Sequence, residues 1–478
     1  MNENSEINRL FFSTASQWKI YPTPGKMDKL FYPTAALERA ILQRFGLLIG
    51  RKGTGKTAFA QHLIDKSPSA TRLINFGKFP FSDMKQNREE GIIDNFSFVN
   101  TWKTIILNAF IEFLAEAEGF DPLYERKLKK LLKIDPNLAL EPAARRWNNL
   151  EFSLSALGVE GAVSGRRENY SELSLSEKVE CLEEIVARAT QRNIEFTLIF
   201  DELDLGFSFL GTEFSNSDYP SILSSLLRAS YEINGRYSEG PVRLHTLVLI
   251  RDDIFDVLVD PDKNKWLDDA AKLEWTRTEL KKMVEHLLSS STGRSCDFEA
   301  LFDRSIRQSK MVVGKGGKSH VRLSEYFFEC TQRRPRDVIM FLREISSIAL
   351  QEKKPTIDAF IIPESERKYS ERLKQELVDE IHSVLPEISE IFDAISYSGR
   401  VRFKKEELMS LVGRAVGTIQ KSDSQLLKIL AILYYFSVIG VVGNANIIYK
   451  CERPGSRFIG QNNLELHPGL RMAINFNH

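Results

Sequence analysis

Apolar and polar positions along the chain follow two periods. Short, nearly continuous apolar runs occur at Leu47 to Ile49, Arg72 to Phe76, Phe196 to Phe200, Leu244 to Ile250 and Ala271 to Trp275. These predict five strands, each too short for a helix and rich in β-branched or aromatic residues. Between them the spacing changes to that of helices, over 35–43, from residue 56 onward, and over 100–118, 175–190, 219–234 and 276–289. In 100–118, Trp102, Ile105, Ile106, Phe110 and Phe113 fall on one side. Strands that alternate with helices predict an α/β fold, a parallel sheet covered on both faces. From about 297 to 355 the pattern is helical, interrupted by VVGKGGKSH, and 365–383 reads as a charged connector helix. Three short helices follow, over 385–396, 404–413 and 423–436. Two β-like runs close the series, Ile439 to Val442 and Asn446 to Cys451, with the turn ERPGSR after the second. Three helices and a hairpin predict a C-terminal winged helix.

At 478 residues the chain exceeds one ordinary core,. The pattern divides it into a polar lead-in (1–43), a core (44–290), a helical lid (291–363), a connector (364–384) and the winged-helix segment (385–478). Residues 120–175, with ERKLKKLLK and SALGVEGAVSGRREN, are expected to be an insertion in that core. Apolar residues make up 42% and charged residues 27%, the values of a soluble globular protein,. The formal net charge of zero names no nucleic-acid or membrane partner. It is unevenly spread, since from Arg400 onward eleven Lys and Arg face five Asp and Glu, a net of +6 that leaves −6 on the rest. Cys181, Cys296, Cys330 and Cys451 are far apart and form no metal-ligand spacing, so free thiols in a reducing compartment are expected,. MNENSEINRL has no signal-peptide core, and the longest apolar run, Ile429 to Gly443, is 15 residues. No membrane span and a cytoplasmic location are therefore expected.

The chemistry begins at the first strand. Gly50, Gly55, Lys56 and Thr57 fit the phosphate-loop pattern, between an apolar run and a helical one. Glycines, here Gly50, Gly53 and Gly55, let backbone amides curl around a phosphate. Lys56 brings a cation to the β- and γ-phosphates, and the Thr57 hydroxyl suits Mg²⁺. Thr54 and Ala58 belong to the same cradle, where the helix dipole adds positive character. A second element, Thr197-Leu-Ile-Phe-Asp201-Glu202, ends a strand in two carboxylates. Asp201 can hold Mg²⁺ and Glu202 can orient an attacking water, with Asp204 as an alternative nearby. Arg251 ends the strand Leu244 to Ile250, where it can sense a γ-phosphate; the other reading pairs it with Asp252 or Asp253. Gln332-Arg333-Arg334-Pro335-Arg336-Asp337 begins a helix from which a basic residue can reach the nucleotide.

GRKGTGKT, TLIFDE, LVLIR and RRPRD, in that order, resemble the motifs of AAA+/STAND P-loop ATPases, and their order is similar to that of origin-recognition-type ATPases. The chain is more closely similar to a bacterial ATPase family with GRKGTGKT, Asp262, Asn264 and Lys265 in D-x-N-K, RPRD, and a YYFSVIGVV…LHPGL tail. Members of that family are often suspected in defence against phage or other mobile DNA. The resemblance spans about residues 30 to 475 and implies a P-loop core, a lid and a winged helix that bind ATP with Mg²⁺. It implies Lys56 and Thr57 as phosphate and metal contacts, and Asp201 and Glu202 as metal carboxylate and base. Arg251 resembles the first sensor and Arg336, or its neighbour Arg334, the second. The 144 positions from Thr57 to Asp201 exceed the usual gap in that class. Arg228 and Arg236 are candidates for a trans-acting arginine finger.

The basic tail has two readings. A winged helix can contact DNA through its third helix and wing. Here SDSQLLKILAILYYF is apolar and offers few side chains for base edges, which suits nonspecific phosphate contact, a protein partner, a homo-oligomer or docking on the chain's own core,. Taken together, the motifs predict an ATP-binding and ATP-hydrolysing switch that couples nucleotide state to the lid and tail. The alternatives are an ATP-regulated DNA-binding protein and a scaffold that binds ATP without turning it over.

Overall fold

The computed structural model describes residues 3–75, 95–132, 174–190, 193–203, 218–307, 310–313, 319–417, 422–443 and 446–475. Phe76, Asp204, Lys421, Asn444, the 314–318 part of VVGKGGKSH and most of the expected insertion lie outside them. Five strands, β1 (Leu47–Ile49), β2 (Thr71–Asn75), β3 (Ile194–Asp201), β4 (Val242–Ile250) and β5 (Ala270–Lys272), form one sheet in the order β2-β3-β4-β1-β5. Every pairing in it is parallel. The register sets Ile49 beside Ile250, and Asn75 beside Asp201, so the strands finish along one edge of the sheet. That carboxyl edge is where ligands bind in parallel α/β sheets.

Alternation along each strand sends neighbouring residues to opposite faces. Leu47, Ile49, Leu198, Phe200, Val248 and Ile250 point to a core built with the helices Asn95–Glu116, Leu175–Ala187 and Asp218–Tyr237. Phe196 stacks there on Phe113 at 4.2 Å and on Phe110 at 5.9 Å. Leu48, Ile199, Leu247 and Leu249 point the other way, into a second core. That core runs without a break from Phe59 of the Lys56–Lys66 helix, through the helical region, to Leu466, Leu470 and Ile474 near the C-terminus. The segment expected to be a winged helix therefore shares its apolar interior with the sheet.

The helical region comprises Arg277–Thr292, Leu323–Glu329, Pro335–Gln351 and Ile361–Ile381. Thr276 caps the first helix in a reciprocal box with Glu279, and Pro335 opens the third, where its missing N–H costs nothing,. Phe327, Phe341 and Tyr369 stack in series at 4.7 and 4.5 Å. The charged 365–383 segment is thus more than a connector, since Tyr369, Leu373 and Leu377 bury one side of it. A hairpin, β6 (Lys310–Val313) with β7 (Ser319–Arg322), interrupts the region at the expected place.

The C-terminal module has helices Ile388–Ser398, Lys405–Ala415 and Asp423–Tyr435. Its sheet is four-stranded in the order β10-β9-β11-β8: β8 is Arg402–Lys404, β9 Ile439–Val442, β10 Ile447–Ile448 and β11 Asn463–Leu466. The expected hairpin is β9 with β10; β8 and β11, at least half polar in sequence, were not anticipated. At the other end, residues expected to be a polar lead-in form the helix Glu3–Ala15, which buries Phe11 and Phe12 in the shared core. The four cysteines are free and buried. Among the described residues, no helix is long and apolar enough to cross a membrane.

Candidate nucleotide site

The phosphate loop leaves β1 at Gly50, whose N–H donates to the Ile250 carbonyl at 3.1 Å. Gly53 and Gly55 then take φ of +82° and +104°, a region that side chains disfavour, and the helix starts at Lys56,. A Cβ on Gly53 would sit 3.2 Å from Arg336 Cβ, so this turn also needs glycine for space. Trp275 Nε1 donates to the Thr54 carbonyl at 2.8 Å, and the Thr54 hydroxyl donates to the Arg51 carbonyl at 2.7 Å. The Thr54 side chain is therefore buried in the loop's own bonding. Lys56 Nζ donates to the carbonyls of Gly50 at 2.6 Å and Arg51 at 3.0 Å.

Thr57 Oγ1 donates to Asp201 Oδ2 at 2.7 Å, across 144 positions of sequence. Glu202 follows with φ of +59°, a sparsely populated conformation for a residue with a side chain, and its N–H donates to Asp201 Oδ1 at 2.8 Å,. Asp201 is buried and Glu202 exposed. A hydroxyl and a carboxylate converging this closely form the hard-oxygen donor set that Mg²⁺ takes alongside phosphates. The residues present therefore fit a Mg²⁺–nucleotide.

Gly53, Gly55, Lys56, Thr57 and Ala58 line a cleft of about 470 Å³, together with Asp201, Glu202 and Arg251. Pro335, Arg336 and Ile339 of the helical region complete its wall. Arg251, on the cleft wall, is paired with Asp253, with Nε to Oδ1 at 2.9 Å and Nη2 to Oδ2 at 2.5 Å. Arg336 donates to Glu376 at 3.1 Å, lies 5.5 Å from the Tyr21 ring, and gives its backbone N–H to the Gly53 carbonyl at 3.3 Å.

Arg334 is placed differently. It is buried, with Nε on Asp337 at 2.9 Å and Nη1 on Glu380 at 3.0 Å, and Nη1 also reaches the Lys52 carbonyl at 3.4 Å. Burial works against ionisation of Glu380, yet Arg334, with Arg251, Arg51 and Lys52 nearby, holds its carboxyl at about 2. Of the two finger candidates, Arg228 pairs with Asp260 and Asp262 at 3.3 and 3.4 Å, and Arg236 with Glu183 at 2.9 Å. Asp262 also holds Lys265, at 2.8 Å.

Sequence reasoning did not anticipate the remaining wall. Trp18, Ile20, Tyr21 and Pro22 border the cleft, with Met27 and Leu30. They provide an apolar, partly aromatic surface of the kind that receives a base. Two aromatics and a proline inside a polar stretch were the available signal. The contacts of Gln332 and Trp275 with the loop, and of Glu380 with Arg334, were not anticipated, because each joins residues far apart in sequence.

The family described as the FunZ-associated C-terminal helical domain matches residues 278–378. No curated protein matches the chain. Among solved structures, it is similar to a Walker-type ATPase of Pyrococcus abyssi, at 13% identity and a TM-score of 0.42 over 95% of this chain and 99% of that one. It is similar to the Aeropyrum pernix ORC1 protein, solved in complex with DNA, at 13% identity and a TM-score of 0.38 over 94% of each chain. It is also similar to the Thermotoga maritima RuvB Holliday junction branch migration motor, at 10% identity and a TM-score of 0.31 over 88% of this chain and 90% of that one. The phosphate loop between β1 and its helix, in a parallel sheet followed by a helical region, makes this a P-loop ATPase fold,.

Proposed function

We propose that the chain is an ATP-binding and ATP-hydrolysing switch. The observation that carries this reading is the 2.7 Å meeting of Thr57 with Asp201, with Glu202 and Lys56 lining the same cleft. Backbone amides of Gly53 to Ala58 and the Lys56 ammonium bind the phosphates. Thr57 and Asp201 hold Mg²⁺, which when bound neutralises phosphate charge. Glu202 accepts a proton from, and orients, the attacking water, while Arg251 and Arg336 face the γ-phosphate. Arg336 belongs to the helical region and its backbone touches Gly53, so a change at the γ-phosphate alters how that region closes on the loop. The lid and the C-terminal module, which we read as a winged helix, then move with nucleotide state.

Internal docking of the module is favoured over DNA grip. Arg402 and Arg471 both engage the buried Glu465, and the Asp423–Tyr435 helix buries Ile429, Leu430, Leu433 and Tyr434. We place the switch, with the ATPases whose motifs it resembles, in a cytoplasmic defence against phage or mobile DNA, acting through a protein partner or a second copy. ATP titration and phosphate release with Mg²⁺ test the reading. Lys56→Ala loses nucleotide binding; Glu202→Gln keeps binding and loses turnover by about a hundredfold or more. Unchanged ATP affinity in Lys56→Ala removes the basis of the proposal. Turnover stimulated by DNA at low salt favours the DNA-regulated alternative, and fewer plaques on cells that express the chain supports the defence setting.

A further inference from the structure

The phosphate loop carries a side chain that faces away from the cleft and toward the C-terminal module. Arg51 Nη2 donates to Gln332 Oε1 at 3.0 Å. Gln332 Nε2 donates in turn to the carbonyls of Phe436 at 3.0 Å and Ser437 at 3.3 Å. The amide has one arrangement that serves both sides, because a guanidinium needs an acceptor and carbonyls need a donor. Gln332 is fully buried, and its backbone N–H is fixed by Asp337 at 3.0 Å. Ser437 is held as well, with φ of +55° and its hydroxyl accepting from the Cys451 N–H at 2.8 Å. This strap joins the phosphate loop, the start of the Pro335–Gln351 helix and the turn between the Asp423–Tyr435 helix and β9.

Arg51 also lies on the path of nucleotide binding, since its carbonyl accepts from Lys56 Nζ at 3.0 Å. When the ammonium turns to a phosphate it leaves that carbonyl, and the loop readjusts at the residue whose side chain holds Gln332. We propose that Gln332 is a positioning residue through which phosphate binding at Lys56 is transmitted to the 436–451 segment, with Arg51 as the link. The proposal rests on the nucleotide-binding reading above and names the route of its coupling. Reciprocity follows: whatever loosens the module's hold on Arg51 alters nucleotide affinity by the factor that nucleotide alters the module.

The test is amide hydrogen exchange on the full chain with and without Mg²⁺ and ATP. In the parent, amides of 436–443 and 446–451 change exchange rate by about tenfold on nucleotide binding. Gln332→Glu keeps an acceptor for Arg51 and removes the donor for the two carbonyls; nucleotide still binds and the change falls to about twofold or less. Arg51→Met cuts the strap from the other side while Gln332 keeps its carbonyls, so it gives the same loss even if Gln332→Glu folds poorly. The double variant is no worse than either single one, because the residues act as a unit. A Gln332→Glu or Arg51→Met protein that binds ATP and still transmits the parental change overturns the proposal and leaves nucleotide binding standing. A parent that binds no ATP overturns both.

Discussion

Replacing Arg334 with methionine tests how the phosphate loop is held from behind. The side chain is 1% exposed, and its partners Asp337 and Glu380 are 0% and 4% exposed. Methionine fills similar volume without charge. Two buried carboxylates then face each other's region without their cation, and the Lys52 carbonyl loses a donor. Removing one member of a buried ion pair costs about 3–5 kcal/mol. Asp337 keeps the Gln332 N–H, so Glu380 bears most of the loss and about 4 kcal/mol is expected,. In urea this lowers the midpoint of the unfolding transition by roughly 1–4 M. ATP affinity falls too, because Lys52 sits in the phosphate loop.

The pH dependence fixes the sign. In the parent, Glu380 is held at about 2 against an ordinary value of 4.5. A depressed carboxyl contributes stability that is complete above 4.5 and disappears as pH falls toward 2,. Arg334→Met removes the cation that depresses it most, leaving the smaller effects of Arg251, Arg51 and Lys52. The gap between parent and variant is therefore widest near neutrality and closes through that acid window. Adding Asp337→Asn and Glu380→Gln to the variant restores most of the stability at pH 7, since no unpaired charge is left buried. A urea midpoint within about 0.2 M of the parent, or a gap that stays constant down to acid pH, would refute the reasoning.

Three further outcomes follow from the geometry. Gly53→Ala forces a side chain into φ of +82° and against Arg336, which should cost about 1–2 kcal/mol and weaken ATP binding, read by calorimetry,. Thr57→Val keeps the shape but removes the hydroxyl from Asp201; ATP affinity in excess Mg²⁺ should fall about tenfold or more, while affinity in EDTA changes little,. Gly469→Ala places a Cβ 2.0 Å from the Cys330 carbonyl, so the C-terminal segment must lift off the helical region, and limited proteolysis should cleave it at least tenfold faster for a cost of about 2–3 kcal/mol,.

The sheet and the loop were legible for a local reason. Phe196 to Phe200 and Leu244 to Ile250 are largely apolar on both faces because both faces are covered, and that leaves a nearly continuous run in the sequence. The phosphate cradle is eight consecutive residues whose glycines announce its backbone. The N-terminal helix was missed because its apolar residues, Ile7, Leu10, Phe11 and Phe12, make one short cluster within an otherwise polar stretch. β8 and β11 are at least half polar, RFK and NLEL, and lack the continuous apolar run that IGVV gives β9. The apolar character of the third C-terminal helix was visible, and the structure buries Ile429, Leu430, Leu433 and Tyr434 of it.

The strap behind the loop was invisible for a different reason, and that reason bears on how the molecule is built. Arg51 and Gln332 are 281 positions apart, and Gln332 and Ser437 are 105 apart. Their link depends on the second core being continuous: Leu48 and Leu249 beneath the loop pack into the apolar mass that includes Leu430, Val438 and Leu466. A module on a free linker could ignore the loop. This one is fixed to it by shared burial, and shared burial is indifferent to which polar atoms meet along the seam. Arg51, Gln332, Arg334 and Glu380 supply what apolar packing lacks, a directional register, which on the proposed route changes when Lys56 leaves the Arg51 carbonyl. Coupling between the cleft and the C-terminal module then needs no flexible hinge, but two discrete arrangements of one polar seam within a common core.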